Sequence, residues 1–120
     1  MTVQSKAIGE YGERLAARHL EEAGYRLLAR NWRCKAGEID IVAVDPCGAL
    51  AFVEVKTRHG TGHGHPFEAV TGQKVARLRR LAGAWLTEHP HEGPIRLDAV
   101  AVTLRRAGAP WVEHLAGVGE

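Results

Sequence analysis

A chain of 120 residues, 45% apolar and 25% charged, has room for one hydrophobic core and reads as a single globular domain. Its net charge of +2 permits nucleic-acid binding without requiring it, so the clustering of basic residues matters more than their total. No apolar run approaches a membrane span, and Met1 to Lys6 lack the apolar segment of a secretory leader. Cys34 and Cys47 lack metal-ligand spacing, and the expectation is a cytoplasmic protein with reduced thiols.

Residues 5–23 predict an amphipathic helix. Ile8, Tyr11, Leu15, His19 and Ala23 recur at helical spacing, with Gly12 and Ala16 beside them, and Gly24 supplies a stop. Gly9 and Gly12 weaken the first turns, or let another backbone come close. Glu13 lies at the edge of the apolar stripe, where it reads by itself as a rim carboxylate. Tyr25 to Arg30 predicts an edge strand, and Asn31 to Gly37 a basic loop with Trp32 capping the core. Arg30, Arg33 and Lys35 are either solvated or in contact with phosphate.

Two β-branched runs, Gly37 to Val44 and Leu50 to Thr57, flank Asp45-Pro46-Cys47-Gly48. Asp, Pro and Gly in those places predict a hairpin with a three-residue loop, Pro46 to Gly48. That loop sets Val44 opposite Leu50, Val42 opposite Phe52, Asp40 opposite Glu54 and Glu38 opposite Lys56. Strict alternation then puts all eight of these side chains on one face. Ile39, Ile41, Ala43, Ala51, Val53 and Val55 take the other, so the hairpin is a central pair covered on both sides. Directly opposed carboxylates repel. Either a half-exposed salt-bridge cluster or a hard divalent cation relieves Asp40 and Glu54, and Mg²⁺ suits oxygen ligands with open positions for water and phosphate.

Arg58 to Pro66 is rich in Gly and His. A zinc site there would lack a fourth ligand, and a mobile loop touching substrate, or simple disorder, is favoured. Thr71 is a plausible N-cap for a second helix with Val75, Leu78, Leu81, Ala82, Trp85 and Leu86 as its buried stripe. Lys74 continues that stripe toward the helix start, either as a snorkelling stem or facing the hairpin carboxylates or a phosphate. Arg77, Arg79 and Arg80 give the helix a basic flank. Ile95 to Leu104 alternates as a strand, Trp111 to Leu115 as a short last one, and residues 116–120 are expected to fray. Asp98 reads as an ion pair with its neighbour Arg96.

Glu38-Ile39-Asp40 followed by Phe52-Val53-Glu54-Val55-Lys56-Thr57-Arg58 resembles the PD-(D/E)xK restriction-endonuclease-like superfamily. With Gly12-Glu13, Asn31-Trp32-Arg33, Gly37 and Gln73-Lys74, the chain is similar to the YraN-like family of small bacterial proteins, distant relatives of archaeal Holliday-junction resolvases. The resemblance runs from about Gly9 to Val102. It implies one α/β sandwich domain over 1–120, with an ordered core of about 6–115 and a mixed sheet in the order αβββαββ. It also implies a nuclease acting on DNA, with branched or structured DNA as a candidate substrate, and a tendency to dimerise.

On that resemblance the catalytic set is Asp40, Glu54 and Lys56. Mg²⁺ or Mn²⁺ is held by Asp40, Glu54, the Val55 carbonyl and the helix-borne Glu13, with Glu38 and Lys74 supporting. Arg30, Arg33, Lys35, Arg58, Gln73 and Arg77 meet nucleic acid. A non-catalytic nucleic-acid-binding protein or a protein-interaction adaptor on the same scaffold are the competing expectations.

Overall fold

The computed structural model describes residues 3–60, 67 and 70–119. Much of the Gly/His-rich loop expected over the site therefore lies outside the described residues. The elements are α1 (Val3–Glu22), β1 (Arg26–Cys34), β2 (Gly37–Val44), β3 (Leu50–His59), α2 (Gly72–Glu88), β4 (Ile95–Leu104) and β5 (Trp111–Leu115). They form one sheet in the order β1-β2-β3-β4-β5, parallel only between β3 and β4. This is the mixed α/β sandwich, αβββαββ, that the element order predicts. No helix among the described residues is long and apolar enough to cross a membrane.

Each face of the sheet carries one helix. Ala16, Ala17 and Leu20 of α1 pack on Ile41, Ala43, Ala51, Val53, Val100 and Val102. On the opposite face Leu78, Leu81, Ala82 and Trp85 of α2 pack on Ile39, Val42, Leu50 and Phe52. The α2 stripe is the expected one, and Thr71 caps the helix, its hydroxyl accepting the Lys74 N–H at 3.2 Å. The α1 stripe is rotated from the expected one. Gly12, Ala16 and Leu20 lie at its centre and Tyr11 is exposed. Small residues let the helix approach the sheet so closely that a Cβ on Gly12 would sit 1.8 Å from Thr57 Oγ1.

The β2–β3 turn is the one its residues predict. Asp45 accepts the Cys47 and Ala49 N–H groups through Oδ1, and Gly48 takes φ +92°. Pairing follows in the predicted register from Val44–Leu50 to Ile41–Val53. There the ladder ends. Asp40 and Glu54 are not ladder partners, nor are Glu38 and Lys56, and the strict alternation of β2 fails too. Ile39 packs with Val42 under α2 rather than with Ile41 under α1.

Three further expectations are corrected. Residues 31–34 continue β1 instead of forming a loop, and only Lys35-Ala36 turn before Cys34 meets Gly37. Trp32 does cap the core, edge-on to Trp85 with ring centroids 5.4 Å apart. The C-terminal segment is tied down: Val118 is buried against α2 and its N–H reaches the Leu97 carbonyl at 2.8 Å. Asp98 is fully buried and holds far more than one ion pair. Arg96 grips both its oxygens at 2.8 and 3.0 Å, His114 Nε2 meets Oδ2 at 2.8 Å, and the Gly117 N–H donates to Oδ1. Arg96 also reaches Asp45 and the Tyr25 hydroxyl, so one guanidinium joins the start of β1, the hairpin turn and β4.

Candidate metal centre

Past Ile41 and Val53 the strands β2 and β3 part, and a side chain fills the fork. Asp40 Oδ2 accepts the Val55 N–H at 2.7 Å, replacing a backbone acceptor. Glu13 reaches the same point from α1, and Glu38 from β2. These three carboxylates offer ligand oxygens that all lie within 4.8 Å of one another. The sequence signal for Asp40 was its place in the hairpin. Glu13 enters by resemblance alone, and Glu38 is expected only in support.

Burial and crowding of like charge shape this cluster. Burial pushes the Asp40 carboxyl up to about 7; the Val55 hydrogen bond opposes the shift, and the charges of Glu13, Glu54 and Glu38 add to it. Glu13 is raised as well, by burial and then by Glu38, while a hydrogen bond from the Asn31 side chain and the charge of Arg30 pull it down.

Glu54 stands outside the group. Its Oε1 takes Arg77 of α2 at 2.8 Å, while its charge still acts on Asp40. Arg77, not Lys74, is thus the α2 cation bonded to a hairpin carboxylate. Glu38 pairs with Arg33 at 3.1 Å rather than with Lys56. Lys56 is exposed and lines a cavity of about 430 Å³ with Gly9, Glu13, Val55 and Arg58. Arg58 Nε in that wall is buried with no hydrogen-bond partner among the described residues. On the other side of Glu13, a hollow of about 350 Å³ is lined by Lys6, Asn31, Arg33 and Glu38, and another by Arg14, Arg30 and Asn31. Lys35 and Gln73 are exposed, Lys35 in the β1–β2 turn and Gln73 in the first turn of α2. Cys34 and Cys47 are free thiols.

The arrangement offers a hard, all-oxygen donor set at a solvent-open edge, ringed by cations. Asn31 stands in a piece that carries the resemblance, yet sequence reasoning gives it no role. It carries the single positive φ among the described non-glycine residues, +54°, and nothing in the apolar pattern marks it.

The sequence profile of a family described as "Uncharacterised protein family UPF0102" matches residues 12–102. A UPF0102 protein of Beutenbergia cavernae is 59% identical over 114 residues, covering 94% of this chain and 96% of the relative. One of Streptomyces griseus is 56% identical over 114 residues, covering 93% and 95%. Among solved structures, that of Pyrococcus furiosus SfsA in complex with Ca²⁺ aligns with 96% of this chain and 63% of its own. Identity there is 15% and the TM-score 0.33, too slight a likeness to assign a ligand.

Proposed function

The chain belongs to the UPF0102 family, and we propose that it is a Mg²⁺- or Mn²⁺-dependent nuclease that hydrolyses phosphodiester bonds in DNA. One observation carries the reading: Glu13, Glu38 and Asp40 converge within 4.8 Å at the fork of two strands. Three carboxylates this close are costly to ionise together, and a divalent cation relieves the repulsion. The donor set fits Mg²⁺ or Mn²⁺, which take carboxylate oxygens and keep other positions for water and phosphate; without thiolate or imidazole it fits zinc poorly. When bound, such an ion would polarise a phosphate oxygen and lower the pKa of an attacking water.

The protein's own groups do the rest. The Val55 N–H fixes the orientation of Asp40. Lys56, on the wall of the cavity shared with Glu13, is placed to offset charge building on the phosphoryl group. Arg30, Arg33 and Arg58 border the acids and supply phosphate contacts that set the strand's position without reading its sequence. Glu54 tunes the cluster through its charge, and Arg77 holds it in place.

The test is cleavage of single-stranded, duplex, flapped and four-way DNA with Mg²⁺ or Mn²⁺. Asp40→Asn and Glu13→Gln should abolish cleavage while leaving the circular dichroism spectrum unchanged. DNA binding with no cleavage by the parent protein, or cleavage indifferent to Asp40→Asn, overturns the reading in favour of a binding protein.

A further inference from the structure

We infer that Asn31 is the positioning residue of the acid cluster, acting once through its backbone and once through its amide. On β1, Ala29 and Trp32 both pack under α2, although three residues apart they should face opposite ways. On β2, Ile39 and Val42 repeat the anomaly. Both strands therefore change face between these points. Yet the register between them is kept: Ala29–Val42, Arg30–Ile41, Trp32–Ile39 and Arg33–Glu38 all pair.

Asn31 and Asp40 are the residues in between, and they drop out of the ladder together. On β1 the switch is made at Asn31 with a positive φ, +54°. Asn tolerates that region better than other side chains, and a β-branched residue is strongly excluded from it. The consequence is local. With Ile39 turned toward α2, Glu38 and Asp40 are free to meet Glu13 beside α1. The Asn31 side chain also lines, with Glu13, the two hollows beside the cluster, where its amide holds the Glu13 carboxyl down and ties the helix-borne acid to the strand-borne pair.

The two roles separate by substitution. Asn31→Gly keeps the backbone freedom and loses the amide; Asn31→Val loses both. Hydrogen exchange of the Val55 N–H reports whether Asp40 still sits in the fork. Asn31→Val should speed that exchange roughly tenfold or more while the Val42 and Phe52 amides stay protected, and Asn31→Gly should leave it unchanged. Mn²⁺ titration reads the amide, and Asn31→Gly should weaken binding about tenfold, as loss of a ligand's supporting hydrogen bond does.

The amide half rests on the metal reading above; the backbone half does not. A parent protein that binds no Mn²⁺ sinks the metal reading, and with it the amide half, while the Val55 exchange still decides the backbone half. Val55 protection unchanged in Asn31→Val overturns the backbone role. Asn31→Gly binding Mn²⁺ as tightly as the parent overturns the amide role.

Discussion

Asp40 and Val55 are joined where their strands separate, Oδ2 to N–H at 2.7 Å. In an unbroken antiparallel ladder a backbone carbonyl would take a proton like this one. Its capture by a side chain lets the sheet open without leaving that N–H unpaired, and it fixes the carboxylate that the other acids approach. One bond thus serves both the fold and the site.

That carboxylate is held at a cost in stability. Native Asp40 keeps its proton up to about pH 7, whereas the unfolded carboxyl loses it near 3.8. The native state therefore binds more protons across this window, so stability falls as pH rises from about 4 to about 7 and then levels off. The full shift would be worth about 4 kcal/mol. Water access to a half-buried group reduces that to on the order of 1–2 kcal/mol. Asn keeps an oxygen for the Val55 N–H and carries no charge. Asp40→Asn should match the parent near pH 4 and exceed it by about 1–2 kcal/mol at pH 8, in urea unfolding with a chelator present.

Divalent metal should reverse this order. At a hundredfold excess over its dissociation constant, Mn²⁺ adds about 2.7 kcal/mol to a protein that binds it only when folded. The parent's melting temperature should rise with Mn²⁺ and fall back with EDTA. Asp40→Asn and Glu13→Gln should show little response. An equal rise in all three proteins would mean the ion binds elsewhere.

How much of this was legible depended on how local the signal is. The Asp45–Gly48 turn set the hairpin register because its determinants are adjacent in sequence and act through their own backbone. The same turn could not show where the ladder stops. That is settled by Asn31, which acts on β2 from a neighbouring strand and, being polar and exposed, leaves no mark on the apolar period. Strict alternation therefore carried Ile39 to the wrong face and obscured the meeting of Glu38 with Glu13. The Asp98 network was hidden for a related reason. Arg96 is a visible neighbour, but Tyr25, Asp45 and His114 come from distant segments that only the folded sheet brings together.

That network makes Arg96 a stability determinant. Burial alone would raise the Asp98 carboxyl, but His114, Arg96 and the Gly117 N–H together bring it below its usual value, and Asp45 is lowered by Arg96 as well. Carboxylates of lowered pKa stabilise the fold above about pH 3.8, a contribution lost as pH falls through the native value. Arg96→Ala leaves a buried charge short of its main partner and should cost about 3–5 kcal/mol at neutral pH. Its deficit should shrink toward pH 3, as protonation removes the charge, in guanidinium unfolding across that range. A deficit independent of pH would point to lost packing by the arginine stem instead.

Gly12 links the packing of α1 to the acid cluster, because the next residue along the helix is Glu13. A Cβ at position 12 would lie 1.8 Å from Thr57 Oγ1 and 2.8 Å from Thr57 Cβ, so Gly12→Ala forces the helix off the sheet. Overpacking of this kind should cost about 1–3 kcal/mol despite the better helix propensity of Ala. The displaced helix should carry Glu13 away from Asp40 and weaken Mn²⁺ binding along with stability. Thr57→Ala removes the hydroxyl but leaves a carbon at 2.8 Å, so the double variant should recover only part of the loss. Thermal unfolding and Mn²⁺ titration of the two single variants and the double measure both effects. Full recovery by Thr57→Ala would mean that the hydroxyl alone sets the approach, and stability lost without any change in Mn²⁺ affinity would mean that Glu13 is not positioned through this contact.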